Sequence, residues 1–96
     1  MPAYWIVDVN ITDAAQFARY RQQVPEIIAR HGGEYLVAGG AHDVTEGSWQ
    51  PTLLVVCRFP DRAAIHAFLK DPEYAALKAL RQQVAVTSAV AVDGIA

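Results

Sequence analysis

The sequence predicts a single α+β domain with elements in the order strand, helix, strand, strand, helix, strand. Three observations carry that class. Leu53-Leu54-Val55-Val56-Cys57-Arg58-Phe59 is a short apolar run, rich in β-branched residues and stopped by Pro60, as an interior strand is. Apolar residues recur at helical spacing in the stretches before and after it. The chain also opens and closes on alternating segments, Tyr4 to Ile11 and about Val86 to Val92. With 96 residues there is room for one domain spanning the whole chain.

In the first strand Trp5, Val7, Val9 and Ile11 alternate with Tyr4, Ile6, Asp8 and Asn10, so one face is apolar and the other turns polar toward its end. Asp13 then offers a helix N-cap, with Gln16 at capping-box spacing. Phe17, Tyr20, Val24, Ile27, Ile28 and His31 form one stripe on this helix. Pro25 interrupts it and predicts a kink near Arg21 to Val24. Gly32-Gly33 ends it by accepting a left-handed backbone.

Glu34 to Ala38 reads as a second strand running into Gly39-Gly40, a pair that predicts a bulge or a close backbone approach. A polar stretch from His42 to Gln50 leads to the third strand, through a hairpin centred near Gly47 to Trp49. Asp61 caps a second helix with Ala64, Ile65, Phe68 and Leu69 facing inward. Asp71-Pro72-Glu73 restarts that helix with an acid cap, a proline in the first turn and a second acid. Tyr74, Leu77, Leu80, Arg81 and Val84 continue the stripe. Val86, Ser88, Val90 and Val92 face one way on the last strand.

Right-handed crossovers and the hairpin turn this order into a ferredoxin-like βαββαβ domain, a four-stranded antiparallel sheet with its helices on one face. The other face would present residues such as Ile6, Leu54 and Val56 to water, and so small a domain has little core to spare. A second copy packing sheet against sheet, a symmetric homodimer, is the expected cover.

Composition narrows the function. The chain is 53% hydrophobic with a net charge of −2 and scattered basic residues, so neither disorder nor a nucleic-acid partner is expected. The single cysteine, Cys57, lies inside the apolar strand and reads as a small buried hydrophobe. No apolar run approaches membrane-spanning length, and Met1 to Trp5 lack the pattern of a secretory signal. The expected setting is soluble, reducing and cytoplasmic, without a membrane partner. His31, His42 and His66 share no metal-ligand spacing, and the glycine pairs match no phosphate-binding fingerprint, so no metal or cofactor is expected.

The run His31-Gly32-Gly33-Glu34-Tyr35-Leu36-Val37-Ala38-Gly39-Gly40 resembles the signature of the small bacterial proteins grouped as domain of unknown function 1330. So do Met1-Pro2-Ala3-Tyr4, the Tyr20 to Pro25 region, Glu46-Gly47-Ser48-Trp49, Phe59-Pro60 and Asp71-Pro72-Glu73-Tyr74. The resemblance spans nearly the whole chain and implies the dimeric α/β-barrel superfamily, in which two ferredoxin-like units pack their sheets together. Relatives there include cofactor-free oxygenases, lactone isomerases and chlorite-dismutase-like haem proteins. The family's motif usually has Arg where this chain has Ala38, and commonly an acid where it has Arg58. With a hairpin centred near Ser48 these two positions would face each other, as a replaced cross-strand ion pair.

Among candidate chemical residues, His31 sits at a helix end that favours an imidazolium and on the helix face turned toward the sheet. It is either a cap or a ligand-contacting acid or base. Asp8 and Arg58 are the polar members of apolar strands and would share a face near one end of the sheet, as an ion pair or as pocket lining. Tyr20, Tyr35, Trp49 and Tyr74 combine an apolar body with a polar tip, which suits a pocket mouth or a dimer rim. Trp49, in a loop, calls for cover by the partner subunit. The preferred reading is a homodimeric binding domain holding a small organic molecule between the sheet and the kinked first helix, against Asp8, Tyr20, His31, Tyr35 and Arg58. The alternatives are a cofactor-independent oxygenase or isomerase using His31 or Asp8 as base, and a purely assembly role with the cleft filled by side chains.

Overall fold

In the computed structural model, which describes residues 1–95, the N-terminal alternation becomes strand β1, Ala3–Ile11. It is followed by α1 (Ala14–Arg30), β2 (Glu34–Ala38), β3 (Leu53–Phe59), α2 (Arg62–Leu69), α3 (Pro72–Val84) and β4 (Ala85–Asp93). The sheet is antiparallel in the order β2-β3-β1-β4, the ferredoxin-like arrangement, with β1 and β3 in the interior. The predicted second helix is two helices, α2 and α3, divided where Asp71 restarts the chain.

Each helix begins on an aspartate whose carboxylate accepts a backbone amide: Asp13 from Gln16 (3.1 Å), Asp61 from Ala64 (2.8 Å) and Asp71 from Glu73 (2.9 Å). These are the donors that a helix leaves without partners in its first turn. The capping box at Asp13 is half formed. The Gln16 side chain accepts from Arg19, while the Asp13 amide donates to the Val84 carbonyl. Helix α1 runs on through Pro25.

Strand parity decides the two faces. Ala3, Trp5, Val7, Val9, Cys57 and Phe59 are buried on the helix side, and Phe68 of α2 is the centre of their packing. Its ring lies tilted against Tyr74, centroids 4.3 Å apart, and neighbours the Trp5, Phe59 and His31 rings. The opposite face carries Tyr4, Ile6, Leu54, Val56, Val86, Val90 and Val92, with Val90 paired across from Ile6. No helix covers this face, and Val86, Val90 and Val92 stand exposed.

The β2–β3 register corrects two expectations. Ala38 pairs with Val55 and Glu34 with Arg58, so the connection centres at Glu46–Gly47 rather than near Ser48. Ala38 and Arg58 are therefore not opposite each other, and no exchanged ion pair joins them; the acid nearest Arg58 is Glu34, at 4.0 Å. The bulge falls at Leu36, between Tyr35 and Val37, and not at the glycine pair. Gly39 supplies the close approach instead: its φ is +78°, and a Cβ there would lie 2.5 Å from Leu53 Cδ1.

Gly33 is the tightest point between α1 and β3. A Cβ would meet Ile28 Cγ2 at 2.5 Å and the Phe59 ring at 2.8 Å, whereas at Gly40 nothing lies within 4 Å. Gly33→Ala is expected to destabilise the fold by about 1–3 kcal/mol through overpacking, and Gly40→Ala to stay within about 0.5 kcal/mol of wild type. Urea unfolding of the two variants checks this, and equal losses would show that the close approach at Gly33 is unimportant.

Candidate functional site

Helix α1 packs against α3 more closely than against the sheet, and a cleft of about 370 Å³ remains between them. Its floor is Trp5, Val7 and Val9 of β1 with Leu53 and Val55 of β3. Tyr35 and Ala38 of β2 form one edge. Phe17, Tyr20, Arg21, Val24 and Pro25 of α1 form the roof, and Arg81 reaches in from α3. The walls are mostly apolar because one parity of each strand and one stripe of α1 point into the same space.

One polar chain crosses this apolar setting. The Tyr20 and Tyr74 hydroxyls are 2.8 Å apart, and Arg81 Nη1 donates to Tyr74 Oη at 3.0 Å. Tyr20 is 7%, Tyr74 0% and Arg81 8% exposed. Burial pushes both phenols above the ordinary tyrosine range, and the adjacent Arg81 only partly offsets this. The Tyr35 phenol is raised as well, again chiefly by desolvation. All three therefore stay protonated at neutral pH, each keeping a hydroxyl hydrogen to donate. Arg81 Nε finds no acceptor among the described residues. A guanidinium in this position costs several kcal/mol of desolvation, by general estimates for buried ions.

Of the predicted site residues, only Tyr20 and Tyr35 line the cleft. Asp8 and Arg58 do not, because their parity places them on the open face of the sheet. Nor do they meet at one end of it. Asp8 pairs with Leu54 and Arg58 with Tyr4, a separation of roughly 13 Å along the strands. Asp8 accepts from Trp49 Nε1 at 2.9 Å and from the Thr52 amide at 3.4 Å, fastening the 41–52 loop to the end of β1. Trp49 itself stays 60% exposed. Arg58 borders a separate shallow depression with Glu34 and Pro60.

His31 is the C-cap of α1. Its amide donates to the Ile28 carbonyl, and Nε2 lies 2.7 Å from Asp71 Oδ2 at the start of α3. The ring faces Phe68 edge-on and does not reach the cleft. His31 and Asp8 are thus not placed to act as bases there, and the cleft holds no imidazole or carboxylate among the described residues. Cys57 is buried, and desolvation pushes its thiol up to about 12, so it is no nucleophile. Among the described residues no group of three or more His, Cys, Asp or Glu side chains could hold a metal ion, and no helix is long and apolar enough to cross a membrane.

Arg81 was legible in part. It sits two turns after Tyr74, between Leu77 and Val84 on one apolar stripe. A cation at that spacing is the signal. Its place in the cleft depends on long-range packing that the spacing does not carry.

The His31–Asp71 pair generates a pH dependence. The Asp71 carboxyl is held below its ordinary value of 3.8, first by the hydrogen bond from His31 and then by the Glu73 amide. A depressed folded-state pKa stabilises the fold above the ordinary value and loses that contribution as the pH falls through the folded one. Asp71→Asn keeps the cap but not the charge. It should melt below wild type at neutral pH, with the gap closing below about pH 4. Melting curves from pH 7 to 2.5 check this, and a gap constant across that range would show that the ion pair contributes nothing.

Among curated proteins none matches the chain. Several solved structures share its fold. A Rhodopseudomonas palustris protein of unknown function is 17% identical with a TM-score of 0.79, over 99% of this chain and 83% of that one. SnoaB, a cofactor-independent oxygenase from Streptomyces nogalater, solved as its N63A mutant, is 11% identical with a TM-score of 0.71, over 99% and 94%. An antibiotic biosynthesis monooxygenase is 17% identical with a TM-score of 0.59 over the full length of both chains. The family of the domain of unknown function DUF1330 matches residues 2–95, and the chain belongs to it.

Proposed function

We propose that this chain is a homodimeric protein that binds a small organic molecule in the cleft between α1 and the sheet. The cleft itself carries the reading. Its volume of about 370 Å³ and its apolar and aromatic walls, broken by a few convergent polar groups, have the character of small-molecule sites. The open face of the sheet supports the dimer. Burying large aliphatic side chains such as Ile6, Val56 and Val90 is worth roughly 1.5–3 kcal/mol each, and a second copy offers the matching surface.

A second reading, a cofactor-independent oxygenase or isomerase, draws support from the fold shared with SnoaB and the antibiotic biosynthesis monooxygenase. With no carboxylate or imidazole in the cleft, such an enzyme would take a substrate acidic enough to ionise without a protein base.

A thermal-shift screen of small aromatic and keto acids tests the cleft. At tenfold over its Kd a ligand contributes roughly 1.4 kcal/mol, a rise of about 5–10 °C for a domain of this size. Oxygen uptake or isomerisation of a hit decides for the enzyme. If no ring-sized compound shifts the melt at millimolar concentration, the binding reading is wrong.

Sedimentation tests the dimer. Wild type should sediment as a dimer at micromolar concentration, and Val90→Glu, at an exposed position of the open face, as a folded monomer. A monomeric wild type ends this part of the proposal.

A further inference from the structure

Arg81 is a buried cation with no anion paired to it among the described residues. Among the described residues the ion pairs are Arg30–Glu73, His31–Asp71, Arg58–Glu34 and Arg62–Asp93, and none includes it. Its Nη1 donates to a neutral phenol and its Nε to none of the described residues. The charged side chains lining the cleft are Arg21 and Arg81, both basic, in a chain of net charge −2.

Counting hydrogens adds to the imbalance. The Tyr20 and Tyr74 hydroxyls carry two hydrogens and share one bond. Whichever donates, the other is left with a hydrogen that no group of the described residues accepts. Arg81 Nε and one of the two hydroxyl hydrogens are thus donors without an acceptor among the described residues, and no carboxylate or imidazole lines the cleft beside them. Ionised carboxylates, phenolates and enolates are pure acceptors at oxygen, and they bind charged donors more strongly than neutral carbonyls do. The walls made by Val7, Val24, Leu53 and Val55 offer only hydrocarbon to the body of a ligand, and the other cation of the cleft, Arg21, is exposed and lies over the Phe17 ring.

We infer that Arg81, with the Tyr20–Tyr74 hydroxyl pair, anchors the oxyanion of a ring-sized apolar monoanion, a carboxylate or an ionised phenol or enol, whose body fills the cleft. The inference rests on the cleft being a ligand site and names what that ligand is. It also gives the base-free enzyme reading its substrate class, since a site that prefers the oxyanion lowers the pKa of an acidic phenol or enol as it binds.

Titration calorimetry of the full chain at pH 7 with 2-naphthoate and its neutral counterpart 2-acetylnaphthalene tests the anchor. Wild type should bind the carboxylate at least tenfold tighter than the ketone. In Arg81→Met, which keeps the length and drops the charge, the two should bind within threefold of each other and the ketone as in wild type. The phenol arm uses 4-nitrophenol, whose phenolate absorbance should appear at least one pH unit lower when bound to wild type and at the free value with Arg81→Met. A shift with 4-nitrophenol alone assigns the site to phenols and enols; carboxylate preference alone assigns it to carboxylic acids.

Equal wild-type affinity for naphthoate and ketone, with no shift of 4-nitrophenol, overturns the role of Arg81 and leaves the cleft reading standing. Binding of none of the three overturns both. Should Arg81→Met not fold, the wild-type ratios still decide, together with the Arg81 Nε–H resonance. That resonance should move downfield on adding naphthoate or 4-nitrophenolate, and a resonance unmoved by a bound anion overturns the anchor.

Discussion

The hydrogen bond between Tyr20 and Tyr74 decides where the first helix sits. Two phenols, one on α1 and one on α3, meet 2.8 Å apart and almost wholly out of water. Buried hydroxyls are costly unless matched, so each helix is held to the other at this point. With α1 leaning on α3, Ile27 and Ile28 at its C-terminal end are buried in the core, while its earlier turns stand over the cleft. Phe17 and Val24 belong to the core and also roof the cleft. The cleft lies beside this matched pair of hydroxyls. Arg81 closes the far end of the same chain of contacts, so the group that would hold a ligand is tied to the same pair.

The second constraint is the parity of β1. Its nine residues lie in the interior of the sheet, and each substantial side chain must take one face or the other. Trp5, Val7 and Val9 go to the helix side and floor the cleft, whereas Ile6 and Asp8 go to the open side. A slip of one residue in register would exchange the two sets and put the tryptophan into water. Both ends of the strand are secured. The Thr12 and Asp13 amides donate to the Val84 carbonyl, and the Gly94 amide to the Pro2 carbonyl. Asp8 adds a side-chain anchor for the 41–52 loop through Trp49.

These constraints also explain what could be read from the residues and what could not. Alternation in β1, β3 and β4 and the aspartates at positions 13, 61 and 71 are local signals, each with one structural meaning, and they give the element order and the fold. The register between β2 and β3 is not local. The 39–52 connection contains no strand of its own, so the sequence offers no pairing to count from, and Ala38 and Arg58 were set opposite each other in error. His31 was recognisable as a helix end, but its partner Asp71 lies forty positions away and reads in sequence only as a cap. Arg81 looked like a member of an apolar stripe. That an arginine on such a stripe lacks an acid can be learned only when α1, α3 and the sheet are brought together.

Asp8 and Arg58 show why parity has to be applied before chemistry. Both are polar residues in greasy strands, which makes them conspicuous, and both were assigned to the cleft on that ground. Yet even-numbered residues of β1 share a face with even-numbered residues of β3, the face turned away from every helix. On that face a charge serves other ends. Arg58 lies near Glu34 toward one end of the strands, and Asp8 ties down a loop at the other. Between them Ile6, Val56 and Val90 form an uninterrupted apolar centre. An apolar middle with polar groups at its margins is the pattern of a protein interface rather than of a reaction centre. The two faces of this sheet thus divide the labour: the helix side carries a cleft with an unpaired cation, and the open side carries the surface on which the proposed dimer would form.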